Sequence, residues 1–384
     1  MEEGFPFHFA FSDVGVSSLS LIFFLLDVVL DLVAIECLYA EKKYFSLGLL
    51  ILLLLGSSVV IQIFSWLWYS DPNKTAPETK VETFIKRHGL LGPVHICQLG
   101  VFLRYAAVME ISFCRFKQRD VFLKRDTIHM KHDLSMLRLF EAFSENAPQL
   151  ILMTPLFMQM QEIQFLTVLK IISLSYSLLS YHHHVHAVNP EKLQMGWSSL
   201  VLYFLWNFFL IGARVIIVSL FASALPCYFA AHFLSLWTLL IFWAWWQKTD
   251  FMESKAGEWL YRATVGLIWY FIWFNVTSGR TRLKAIIYHV VMGSDTMLLL
   301  GLWWWWRSVE SARLDPLPIN PYLLIAVLVT IYITGILLRL LYYWKFHPNK
   351  PALQVDEKDL KSHVNLECDA KRYDVVEADS RAIS

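Results

Sequence analysis

Arg138, Glu141 and Glu145 stand at i, i+3 and i+7 in the stretch DLSMLRLFEAFSENAPQ (133–149), and Gln149 adds one more turn. At 3.6 residues per turn, these side chains share one face of a helix. Asp133 opens the stretch, and an uncharged run continues from Leu150 to Phe157. The whole is long enough to cross a bilayer, where each charge near the centre costs at least about 2.5–3.5 kcal/mol. Three ionisable groups on one face therefore require partners, water or a ligand. Asp27 and Asp31 repeat the pattern at i, i+4 within SLSLIFFLLDVVLDLVAIE, and Arg104, Arg214 and Asp295 interrupt other apolar segments.

The elements that must position these charges are membrane helices. Of the 384 residues, 57% are hydrophobic and only 17% charged, against about 25% charged in a soluble chain. Sixteen Trp and 28 Phe suit lipid contact. The net charge of +1 gives no footing for nucleic acid, and five scattered cysteines imply no disulfide framework. No basic region precedes the first apolar run, which argues against a cleaved signal peptide. Ten apolar segments can be drawn, at about 14–36, 44–69, 88–113, 134–158, 163–187, 197–222, 224–246, 258–276, 285–306 and 320–345.

Ten simple crossings conflict with the charge of the loops. The loop 114–133 holds six Lys/Arg, and 70–88 is the next most basic, so both are expected in the cytosol. They flank the third segment, whose HGLLGPVHICQLG has the glycines and proline of a broken, re-entrant element. The eighth segment, before the basic SGRTRLK, is its counterpart. The expected fold is thus an all-α polytopic membrane protein. It has eight transmembrane helices, two membrane-embedded helices that do not cross, and cytosolic termini. Two halves share one layout, residues 1–187 and 188–348, followed by a flexible cytosolic tail, 349–384.

On this topology the helices bearing Asp13–Asp31 and Asp133–Glu145 run outward from the cytosol, spanning roughly 27 and 18 Å. Mixed signs along such a path suit a zwitterionic headgroup, whose phosphate pairs with Arg and whose amine pairs with carboxylates. The competing readings are that the charges pair internally and only hold helices together, or that they line the closed midplane site of a solute or ion transporter. HHHVH (182–186) is expected to be a wet cytosolic helix end rather than a metal site, and WWWW (303–306) an interfacial belt. The sequon at Asn73 falls in the cytosol. No phosphate loop or nucleophile–base pattern argues for an enzyme, and no cofactor or metal is implied.

Taken together, FFLLDVVLDLV, IFSWLWYSDP, DLSMLRLFEAFSENAPQL, YFLWN, TDFM with EWLYR, WFNVTSGRTR and LRLLYYWKFHP resemble the XK-related family of phospholipid scramblases, in its caspase-activated branch, over about residues 15–348. The resemblance implies ATP-independent exposure of phosphatidylserine at the plasma membrane during apoptosis. It also implies a single-span immunoglobulin-type partner such as basigin or neuroplastin. The family's buried charges fall on Asp27, Asp31, Asp133, Arg138, Glu141, Glu145 and Arg214. One departure is that Leu-Asp-Tyr-His-Arg of the branch is Leu179-Ser180-Tyr181-His182-His183 here, losing an acid and a firm cation. In the tail, LECDA and VEADS make Asp369 and Asp379 the expected caspase sites; Asp356 is a poorer one because Glu357 follows it.

Overall fold

The computed structural model describes residues 8–69, 79–117, 121–159, 164–188, 196–252, 254–276, 281–310 and 320–346; among these the fold is all-helical, without strands. The chain divides into two units, Met1–Arg339 and Leu340–Ser384; within the second, the described residues are the last turns of the final helix. Asp356, Asp369 and Asp379 lie outside the described residues, as does Asn73.

The helices are α1 (His8–Ala40), α2 (Tyr44–Tyr69), α3 (Lys80–Arg87), α4 (Leu91–Ile96), α5 (Gly100–Lys117), α6 (Val121–Glu141), α7 (Ala147–Gln159), α8 (Gln164–Val188), α9 (Trp197–Ala224), α10 (Pro226–Trp246), α11 (Lys255–Phe271), α12 (Thr281–Val309) and α13 (Pro321–Phe346). Five of them, α2, α9, α10, α12 and α13, are long and apolar enough to cross a membrane. This makes the chain a multi-pass membrane protein. Helices α1 and α8, with 33 and 25 residues, are also long enough, but they carry charges.

Helices α6 and α7 are joined by a single π turn, Ala142–Asn146, in which the Ala147 N–H reaches back five residues to the Ala142 carbonyl. Pro148 explains the turn. A proline has no N–H for the carbonyl four residues earlier and its ring clashes with it; the wider π turn moves Ser144 out of the way. The basic stretch 114–133, expected as a loop, is helical in all its described residues. Met130, Leu134 and Leu137, at i, i+4 and i+7, are buried, so the amphipathic stripe starts well before the apolar run does.

The third apolar segment is broken twice, at Gly89 with φ 63° and at Gln98 with φ 62°, giving α3, α4 and α5. A polar stripe on α2 holds this element. Ser58 donates to Gln98, Gln62 Oε1 accepts from Gly100 N at 3.1 Å, and Ser65 Oγ lies 3.0 Å from both His95 Nε2 and Arg104 Nε. In the eighth segment, α11 ends at Phe271 and the chain runs on without helix through Ile272, Trp273 and Phe274, all buried. Irregular backbone at membrane depth is tolerated only inside protein, and here the freed carbonyls find donors: Trp269 Nε1 bonds Phe274 O at 2.9 Å and Tyr288 hydroxyl bonds Trp269 O at 2.5 Å. Helix α9 is buried along most of its length and packs on α7, α8 and α12.

Packing divides the members of the tryptophan and histidine runs. Trp303 is buried and Trp304 packs on Tyr322 at 4.6 Å, so only Trp305 of the four is exposed. The tryptophans sit on three sides of a helix, and one side faces the bundle. Likewise His184 is buried, while His182 stacks on Tyr203 at 4.0 Å and meets His186 at 4.5 Å. Because α8 continues to Val188, His182 and His186 are one turn apart and share a face.

The tight turn at Gln98–Gly100 gives a test. A β-carbon at Gly100 would meet Gln62 Oε1 and lie 2.8 Å from His95 Cδ2, displacing the two side chains that fasten the element to α2. Gly100→Val is expected to cost about 1–3 kcal/mol, read as a lowered thermal unfolding midpoint of the detergent-purified protein, with Gly48→Val, which meets nothing within 4 Å, as the unaffected control.

Candidate functional site

Ion pairs lie along the seam between α1, α6–α7 and α8. Arg138 Nη2 bonds Asp27 Oδ2 at 2.9 Å and its Nη1 bonds Glu141 at 2.5 Å. Both Asp27 and Arg138 are buried, and Ser173 of α8 donates to the same Asp27 oxygen at 2.8 Å. The guanidinium also lies over the Phe24 ring at 4.8 Å. One turn further along α1, Asp31 Oδ1 meets Lys170 Nζ of α8 at 2.5 Å. The ammonium also donates to Asn146 Oδ1 at 3.0 Å and to Gln149 Oε1. The Glu145 carboxylate stands beside those of Asp31 and Glu141 and close to Lys170. Toward the other end, Tyr105 of α5 bonds Ser20 at 2.9 Å, and Tyr176 donates to Val16 O at 2.8 Å.

The geometry follows from helix periodicity plus the π turn. Arg138 and Glu141 project into the groove beside Asp27. Beyond the turn, Asn146 and Gln149 are carried to the level of Asp31 and Lys170. Along one seam Arg138 is thus held by Asp27 and Glu141, Lys170 is held by Asp31, and Glu145 adjoins the acidic groups of Asp31 and Glu141. A small cavity of about 10 Å³ beside Lys170 and Gln149 is otherwise lined by leucines, Ala34 and Met153, room for about one water.

The other sequence-derived candidates lie elsewhere. Asp133 is partly exposed, with His132 Nδ1 at 3.6 Å. Arg214 belongs to a second cluster: its Nη2 meets Asp295 Oδ2 at 2.6 Å, its Nη1 donates to Thr296 at 2.9 Å, and its Nε donates to Tyr270 O at 3.3 Å. His232 of α10 approaches Asp295 at 2.8 Å. Arg214 thereby meets one carbonyl in the last turn of α11, that of Tyr270, where a cation is favoured by the helix dipole. Arg104 lies 4.3 Å from the Tyr69 ring and bonds Ser65, as part of the clamp on the broken element.

Lys170 is the functional candidate that sequence reasoning missed. It is the one charge in FLTVLKIISLSYSLLS, the same signal that marked Asp27 and Asp31. It also supplies a cation on α8 ten residues before Ser180, where the resemblance had left that helix short of one.

Breaking one buried pair while leaving its partner uncompensated costs about 3–5 kcal/mol. Asp31→Asn and Lys170→Gln are each expected to destabilise the protein by amounts in that range, and the double variant to recover at least half of the summed loss. A double-mutant cycle on thermal unfolding in detergent measures the coupling; additive losses would show that the two groups do not interact.

The XK-related protein family profile matches residues 15–348. The chain is 38% identical over 358 residues to XK-related protein 8 of Tetraodon nigroviridis, covering 91% of this chain and 86% of that one. It is 38% identical to XK-related protein 8 of Gasterosteus aculeatus, covering 88% and 84%. Against XK-related protein 8 of Pan troglodytes, identity is 37%, with 85% and 82% covered. With nearly the whole membrane region matched, and the paired charges within it, this chain belongs to the XK-related family.

Proposed function

We propose that the protein is an ATP-independent phospholipid scramblase of the plasma membrane that exposes phosphatidylserine, and that it acts without covalent chemistry. The observation that carries the reading is the seam of ion pairs in which Asp27 and Glu141 hold Arg138 and Asp31 holds Lys170, with Glu145 beside them. A headgroup moving through hydrocarbon must exchange water for other charges. A phosphate can take the place of a carboxylate at Arg138 or Lys170, and an amine can take the place of a cation at Asp27, Asp31 or Glu145. Each exchange trades one ion pair for another, so the path lowers the barrier without creating a deep trap. Acyl chains stay in lipid. The arrangement described is closed, with its pairs buried, and opening requires α1 and α8 to part from α6–α7. Against the transporter reading, the cavities beside the two charge clusters hold only about 10 and 20 Å³, too little for a solute.

The topology proposed with it has eight spans: α1, α2, α6–α7, α8, α9, α10, α12 and α13. The element α3–α5 and helix α11 with its extended tail dip without crossing, and both termini are cytosolic. This order supports the division into halves 1–187 and 188–348 and a regulatory tail, 349–384. A single-span immunoglobulin-type protein is the proposed membrane partner. The tail restrains the resting state until a caspase cuts it at Asp369 or Asp379.

Purified protein in vesicles carrying fluorescent lipid is expected to flip lipid slowly until caspase treatment raises the rate about a hundredfold, as loss of a restraint that held the open state near 1% would do. Asp369→Ala with Asp379→Ala is expected to block that rise. After activation, Glu145→Gln is expected to slow flip about tenfold, equivalent to about 1.4 kcal/mol on the barrier, with the protein still folded. Equal rates in Glu145→Gln and the parent would leave the seam as internal glue alone. For the topology, a cysteine placed at residue 120 is expected to resist impermeant reagents on intact cells and to react after permeabilisation.

A further inference from the structure

We propose that α3, together with the turn after α4, is a docking surface for anionic phospholipid headgroups of the cytosolic leaflet. The proposal rests on the topology above, which puts the basic stretch 70–88 on the cytosolic side. The argument begins with how this short helix disposes of its carboxylates. Thr79 caps α3 and its side chain accepts from Glu82 N, while Glu82 folds back to accept from Thr79 N at 3.1 Å; Glu82 is buried. From α5, Glu110 reaches across and accepts from Lys80 N at 2.9 Å and from Val81 N at 3.0 Å. Both acids are therefore spent on the N–H groups that a helix start leaves open.

What α3 presents outward is cationic with an apolar centre. Lys80, Lys86, Arg87 and His88 are exposed, and between them Phe84 is 56% exposed, with its ring 4.3 Å from that of His88. Lys86 and Arg87 fall in the last turn, where the helix dipole favours cations. The apolar character continues past α4: Ile96 is 81% exposed and Leu99 48%. A basic rim beside projecting apolar side chains is the signature of a helix lying at a lipid headgroup boundary. The cations meet anionic phosphate and carboxylate groups, and Phe84, Ile96 and Leu99 enter the acyl region. An acidic peptide, such as the chain's own tail, would match the charge but would leave those three side chains in water. The surface thus favours phosphatidylserine-type headgroups over zwitterionic ones at the foot of the dipping element that α2 clamps.

The test replaces Phe84 by p-benzoylphenylalanine in the full-length protein, an exposed aromatic for an aromatic. The protein is reconstituted in vesicles of phosphatidylcholine with about 30 mol % phosphatidylserine, a fraction near that of an anionic leaflet. After irradiation, mass spectrometry identifies the adducts. The expected result is lipid adducts in which the ratio of phosphatidylserine to phosphatidylcholine is about fivefold that of the vesicle, the factor that one basic residue near an anionic surface supplies. In the variant that also carries Lys80→Gln, Lys86→Gln and Arg87→Gln, lipid adducts are expected to persist with the enrichment gone. Adducts in proportion to bulk composition would overturn the headgroup preference. Adducts to tail peptides, or no lipid adducts, would overturn the docking surface. Flip rates measured on the same vesicles keep the two proposals separate: normal adducts without flip would count against the scramblase reading alone, and normal flip without adducts against this surface alone.

Discussion

Hydrocarbon does not solvate charge, and the protein is built around that constraint. Arg138 is the central case. It sits buried in a membrane-length helix, where an unmatched charge would cost several kcal/mol. Its guanidinium is satisfied from two directions, by Asp27 of α1 and by Glu141 one turn away on its own helix. Lys170 repeats the solution one turn along, gathering Asp31 from α1 and Asn146 and Gln149 from the stretch around the π turn. Buried pairs of this kind are weak evidence of stability, since well-packed apolar residues would serve as well. Here they lie along a single seam, with carboxylates in excess.

The same constraint acts on the backbone. The π turn at Ala142–Asn146 answers Pro148, and it also sets which polar side chains reach the level of Lys170. The two interruptions after α4 and α11 free peptide groups, and side chains of neighbouring helices hold both breaks. At the first, Gln62 of α2 accepts from the Gly100 N–H, while Ser58 donates to the Gln98 side chain and Ser65 accepts from Arg104; at the second, Tyr288 and Arg214 donate to the carbonyls of Trp269 and Tyr270. The two breaks therefore use a similar device with different chemistry: neutral side chains and Arg104 at the first, and at the second an arginine held by Asp295 with His232 behind it.

Much of this was legible in the sequence because a charge or a glycine inside an apolar run is conspicuous. Asp27, Asp31, Arg138, Glu141 and Glu145 could be named from helical spacing alone, and the broken character of HGLLGPVHICQLG follows from residues that cannot sustain a helix. Lys170 carried the same signal in principle. A single cation without a visible neighbour gives no spacing to read, so it was passed over. The polar stripe of α2 was harder still, since serines and one glutamine inside a span are common and bond their own backbone as readily as a partner.

Composition and periodicity determined that the chain is a helical membrane protein and marked most of the charges of its seam, because those depend on local transfer energies and on a fixed 3.6-residue repeat. Only the tertiary structure decided who pairs with whom. Arg214 and Asp133 looked equivalent to the seam residues along the sequence. Folding pairs Arg214 with Asp295 and the Tyr270 carbonyl of α11 and leaves Asp133 partly exposed near His132. The same holds for Trp303 and His184, which packing buries although their neighbours in sequence remain at the surface. Partner choice depends on interhelical register and approach, and these arise from contacts between residues as far apart as Asp31 and Lys170, a separation over which a local pattern carries no information.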